Sequence, residues 1–155
     1  MSVILDRPAI TPRALIGPAL WGRLTARIAV DHPEHAHQAD VIMEQALAFL
    51  AACAARPGAR LAPSEIVDIG WHTFILHTQE YAEFCEQNAG RFIHHSPTDE
   101  GGAESGGCTA ADTVTVMREL GLPVVAGLWG HAAACEGSGT GKCSQCHQGC
   151  TDSNK

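Results

Sequence analysis

Asp68-Ile69-Gly70-Trp71-His72-Thr73-Phe74-Ile75-Leu76-His77-Thr78-Gln79-Glu80-Tyr81-Ala82-Glu83-Phe84-Cys85, followed shortly by Gly90-Arg91-Phe92-Ile93-His94-His95-Ser96-Pro97, is the stretch on which the reading of this chain turns. It carries four of the nine histidines, a cysteine and a dense set of aromatic side chains. In a helix, Val67, Trp71, Phe74, Thr78, Tyr81 and Cys85 fall on one face at spacings of three and four, which makes that face the natural core of a small domain. Ser64 stands as N-cap after Pro63, with Glu65 and Asp68 favourable in the first turn. Asn88-Ala89-Gly90 closes the element, Gly90 being suited to a left-handed cap. The spacing therefore predicts one long helix over 64–88, then a short extended run Arg91–His95 stopped by Ser96-Pro97.

On either side of this block the chain keeps a helical pattern. Pro8, Pro12 and Pro18 keep residues 1–17 extended. Leu20, Trp21, Leu24 and Ile28 mark a first helix from Pro18 to Val30. Asp31 or His32 caps the next, Pro33 takes its first turn, and it runs to about Arg56 on Ala39, Val41, Ile42, Ala46, Leu47, Phe49, Leu50 and Cys53. Residues 98–107 form a loop rich in Gly, Ser and acids. Thr109-Ala110-Ala111-Asp112 is a variant capping box opening a helix to Leu120, and Leu122 to Trp129 gives one more short apolar element. The expected fold is mostly α: a bundle of four to five helices over residues 1–130, with an irregular Cys/His/Gly-rich tail over 131–155. That tail has almost no large apolar residue, so a metal or a crosslink is what would organise it.

Composition narrows the class. A chain of 155 residues is one domain or one domain with a tail. A net charge of −7 with ten Lys+Arg argues against a nucleic-acid partner. No apolar run reaches the roughly 18 residues of a membrane span, and Met1 to Pro8 carries an early acid and no apolar signal region. The expectation is a cytoplasmic protein with a small-molecule substrate or a protein partner. Its oligomeric state is open. Seven Cys and nine His are unusual for this length, and in a reducing compartment clustered cysteines point to metal or redox chemistry before disulfides.

Two candidate centres follow. Asp68 and His72 have the i, i+4 spacing that puts two ligands on one helix face, whereas His72 and His77 are about 140° apart and cannot share an ion on a straight helix. His94 or His95 can complete a site with Asp68 and His72. The two face opposite ways in an extended segment, so one of them joins directly. The plainer reading makes Asp68 and His72 a hydrogen-bonded structural pair, and His77 a hydrogen-bonded residue at the edge of the core. In the tail, Cys135, Cys143, Cys146 and Cys150 are spaced C-x7-C-x2-C-x3-C with His147 adjacent, a pattern for zinc, or alternatively for iron or an iron–sulfur cluster. Its plain counterpart is a thiol-rich tail without an ion. The tail and the helix can also share one site. Cys143-Ser144-Gln145-Cys146-His147 also matches a haem attachment motif, which belongs to an exported compartment. Cys53 reads as a buried small hydrophobe. Cys108, before a helix N-terminus, would have its thiol pKa lowered there but has no identifiable His partner. The paired glycines at 101–102 and 106–107 have neither the spacing nor the Lys of a phosphate loop.

Asp68, Trp71-His72, Tyr81, Cys85, Gly90 and His94-His95-Ser96-Pro97 together resemble the glycine-rich domain-containing protein family, over residues 64–97 or about a fifth of the chain. The chain looks like its short bacterial members, and departs where a second His two after the first would stand, at Phe74. The resemblance implies a helical domain with a Gly/Cys/His-rich end and brings no activity with it.

The functional expectation is a metal-binding protein, in its catalytic form a small zinc- or iron-dependent enzyme of specialised bacterial metabolism, with Asp68 and His72 as its catalytic ligands. An ion with an open position acts as a Lewis acid, activates water or, as iron, activates oxygen. The alternative is a non-catalytic metal- or redox-responsive interaction module, or a carrier of a modifiable Cys-rich tail.

Overall fold

Helix α2, Ala39–Ala55, is the axis around which the other elements pack in this structure, a computed structural model that describes residues 10–95 and 109–130. Ile42, Met43, Gln45, Ala46, Leu47, Ala48, Phe49, Leu50 and Ala52 are fully buried, so α2 is enclosed on nearly every side. A helix that is apolar all round is either a core helix or a membrane span. By length and composition the 23-residue run Pro33–Ala55 would suffice to cross a membrane, although Glu44 and Gln45 interrupt its apolar residues. Here it is covered by α1, α3, α4 and α5.

Six α-helices are described, with no strand among the described residues, so the chain is a small, mostly α protein. Helix α1, Pro18–Asp31, buries Trp21, Leu24 and Ile28, the spacing read from the sequence. Two 3₁₀ turns precede α1 and α2, Pro12–Leu15 and Pro33–Gln38. The first replaces part of the expected extended arm. The second replaces the first turns of the expected second helix, where Pro33 lacks an N–H and His32 makes no side-chain cap.

The predicted single helix over 64–88 is two. α3 is Glu65–Leu76 and α4 is Thr78–Ala89, with His77 between them at φ −88°, ψ 70°. Ten residues of continuous helix would advance about 15 Å, yet Trp71 Nε1 donates to Tyr81 Oη at 2.9 Å. The turn at His77 folds α4 back, and Phe74 then meets Tyr81 and Phe84 edge-on, each at 5.2 Å between ring centroids. Val67, Trp71, Phe74, Tyr81 and Cys85 are buried as their spacing required, while Thr78, now in the first turn of a new helix, is exposed. Gly90 closes α4 in the left-handed region at φ 64°.

α3 lies against α2 at Gly70. A Cβ built there would stand 2.8 Å from Ala46 Cβ and 3.1 Å from the Ile42 carbonyl oxygen. The glycine sets the closeness of this crossing, and thereby where the exposed edge of α3 stands.

Helices α5, Ala110–Glu119, and α6, Ala126–Trp129, close the remaining side. The capping box at Thr109 and Asp112 forms with both reciprocal bonds. Gln45, buried at the middle of α2, fastens the connection after α5: its amide donates to the Pro123 carbonyl and accepts from Val125 N–H and Trp129 Nε1. Thr113 donates to and accepts from the Ala62 backbone. Ser64 caps α3 through Val67 N–H, as expected, and also donates to Leu128 O at 2.6 Å. These bonds tie residues 57–64 to α5 and α6 and place that linker along one wall of a groove.

Candidate functional site

Asp68 and His72 stand one turn apart on α3, and the segment after Gly90 brings His95 onto the same face. One potential ligand atom from each of the three lies within 4.8 Å of the other two. His95 Nε2 donates to Asp68 Oδ1 at 2.7 Å. The His95 ring lies 4.4 Å from the Trp71 ring and 4.6 Å from that of His72, the latter edge-on at 79°. Burial is graded across the cluster: the His95 side chain is 15% exposed, that of Asp68 35%, and His72 is open to solvent.

The position of His95 has a traceable cause. Tyr81 Oη, which accepts from Trp71, donates to the Ile93 carbonyl at 2.6 Å. Trp71 and Tyr81 thus hold the backbone two residues before His95 while Trp71 also supports its ring. Burial pushes the Tyr81 phenol pKa well above its ordinary value, so it remains a donor throughout the physiological range.

The cluster opens on a groove of about 820 Å³, lined by the 58–65 wall, Asp68, His72, Arg91, His94 and His95 among others. Cys53 also lines it. Its pKa is pushed up to about 12 by burial, against the pull of Arg91, so it is an un-ionised thiol, in keeping with the small buried hydrophobe read from the sequence.

Of the residues singled out by the sequence, Asp68, His72 and His95 come together. His94 does not join them: it is exposed and packs on Phe92 at 4.8 Å, so it lines the groove without entering the three-residue cluster. The structural pair foreseen between Asp68 and His72 is not formed as a hydrogen bond, because the partner of Asp68 is His95, 27 residues on. His77 is a partly buried residue whose Nδ1 lies 3.0 Å from the Thr73 carbonyl oxygen. Cys135, Cys143, Cys146, His147 and Cys150 lie outside the described residues, as does Cys108. Arg91, on the groove wall, is a residue that the sequence reading missed. Its only signal was the alternation Arg91, Ile93, His95.

Three ligand atoms this close fit the donor set of a divalent ion. Two ligands about 2.1 Å from a tetrahedral zinc stand about 3.4 Å apart. The Asp68–His95 pair is closer than that and the widest gap is at most 4.8 Å, a difference that rotation of the exposed His72 ring can close. Two imidazoles and one carboxylate are also the ligand set of open-sided non-haem iron sites.

No curated protein and no solved structure matches this chain. The glycine-rich domain-containing protein family, expected from the 64–97 block, is not the family whose model matches, and that expectation is corrected: the Trp-His and His-Ser-Pro elements of the block do not carry the assignment. The model that does match covers residues 18–105, more than half of the chain and all of Asp68, His72, Arg91 and His95, and by that match the protein belongs to the UCP032817-like family.

Proposed function

We propose that this protein binds one divalent ion, zinc or iron, through Asp68, His72 and His95, and that the ion acts on a small molecule held in the adjoining groove. The observation that carries the reading is the convergence of three potential ligand atoms within 4.8 Å at the edge of an 820 Å³ groove. His95 is fixed by packing on Trp71, whereas His72 faces solvent, so an ion there would keep positions open toward the groove. As zinc it would polarise a carbonyl or activate water. As iron it would take oxygen chemistry. Loading would exchange the His95–Asp68 hydrogen bond for bonds to the ion, and because protons compete with the ion for imidazole nitrogen and carboxylate oxygen, affinity should rise with pH.

The test is the metal content and zinc affinity of anaerobically purified protein, beside Asp68→Asn, His72→Ala, His95→Ala and Cys146→Ala. Near-stoichiometric metal that falls at least about tenfold in affinity with each of the first three variants is expected. Cobalt-substituted protein should change its visible spectrum on adding azide, reporting an open position. Loss of metal with Cys146→Ala alone would move the ion to the C-terminal cysteines and favour the non-catalytic module. Absence of metal in every preparation would end the reading.

A further inference from the structure

We propose that the same groove binds the anionic group, carboxylate or phosphate, of a small molecule through the guanidinium groups of Arg60 and Arg91. Along the segment after α4, Arg91, Ile93, His94 and His95 all line the groove, while Phe92 does not. Arg91 donates one N–H to the Cys53 carbonyl at 2.8 Å. That bond holds the planar fork in place and leaves its other donors for a ligand. Arg60 enters from the 57–64 linker, which Thr113 holds at the Ala62 backbone.

The charge pattern singles out these two arginines. Arg23, Arg27 and Arg56 are matched by Glu80, Asp31 and Glu119, and Arg13 lies over the Trp21 ring. Neither Arg60 nor Arg91 has a carboxylate partner among the described residues, although Glu65 and Asp68 share the groove lining. Asp68 is engaged by His95, and Glu65 makes no described ion pair with either guanidinium. Two guanidiniums without a carboxylate partner lining one groove favour an oxyanion, which an Arg fork binds with two parallel hydrogen bonds. Four residues of extended chain separate Arg91 from His95, about 13 Å of backbone. A ligand of metabolite size can therefore place its anionic group at Arg91 and its reacting group at His72 and His95. As a statement about substrate class this rests on the metal reading above. As a binding site it stands without it.

The experiment is therefore done on metal-free protein. The side-chain Nε–H signals of Arg60 and Arg91 are followed by nitrogen–proton correlation spectroscopy during titration with glutarate, inorganic phosphate and neutral glutaramide. Saturable shifts of both signals with glutarate or phosphate, and none with glutaramide, are expected, the stronger of the two anions naming the ligand group. Arg60→Gln and Arg91→Gln should each weaken the interaction about tenfold or more, while Arg27→Gln, which removes the same charge from α1, leaves it unchanged. Equal responses to glutaramide, no response to either anion, or indifference to both groove substitutions would overturn the site. Because the ion is absent throughout, either result leaves the metal measurements standing or falling by themselves.

Discussion

Gln45 and Asp68 are both polar side chains on apolar helices that touch, and the fold treats them in opposite ways. Gln45 is fully buried, and its amide is used within the protein by Pro123, Val125 and Trp129. Asp68 is about one-third exposed and spends one oxygen on His95, with His72 beside it open to solvent and a groove in front. A satisfied buried network has nothing left to offer a ligand, and its energy goes into uniqueness of packing. A partly satisfied cluster at a groove keeps lone pairs available. Satisfaction, and not polarity or burial alone, separates the structural centre of this molecule from its candidate functional one.

That contrast can be broken by substitution, ranked here by expected loss of unfolding free energy. Gln45→Ala leaves the Val125 and Trp129 N–H groups and the Pro123 carbonyl without their partner, and opens space beside α2. A loss of about 3 kcal/mol in urea unfolding is expected, with zinc affinity of the folded fraction unchanged. A change in affinity as large as that of His72→Ala would show that the two regions are not separate.

Tyr81→Phe removes one hydroxyl that serves both Trp71 and the Ile93 carbonyl. About 2 kcal/mol of stability should go with it. Because Tyr81 positions the His95 segment, zinc affinity should also drop, by about tenfold. Unchanged affinity would mean that Trp71 alone aligns His95.

Gly70→Ala gains about 1 kcal/mol of helix propensity, but its methyl would lie 2.8 Å from Ala46 Cβ. Overpacking of about 1–3 kcal/mol is typical for such an insertion, so a net loss of about 1 kcal/mol is expected on thermal or urea unfolding. Stabilisation would show that α3 can move away from α2 without cost.

His72→Ala marks the other end of the scale. The side chain is exposed and carries no described hydrogen bond, so stability should change by less than about 0.5 kcal/mol while zinc affinity falls at least about tenfold. A large stability loss in the metal-free protein would make His72 a structural residue.

Much of the architecture was readable because it rests on local rules. Trp21, Leu24 and Ile28 repeat at helical spacing, Ser64 and Thr109 cap with neighbours three residues on, and Gly90 supplies a left-handed end. The break at His77 was not readable. No proline or glycine marks it, and its stabilisation comes from Trp71, Phe74, Tyr81 and Phe84 packing across the turn. The centrality of α2 was only half visible. Its apolar set from Ala39 to Cys53 marked a core-facing helix, but its burial on nearly every side, Gln45 included, comes from the helices packed around it.

The candidate site divides along the same line. Helical periodicity by itself put Asp68 and His72 on one face, and alternation by itself required His94 and His95 to part, because both are properties of the backbone over a few residues. Only the tertiary structure decided that His95 is the one that turns inward, that it takes Asp68 as its partner, and that Arg60 and Arg91 share the groove. Those outcomes depend on the fold-back at His77, the Tyr81 bond to Ile93 and the close approach at Gly70. Each joins residues distant in sequence, or two helices, through contacts that no local pattern encodes.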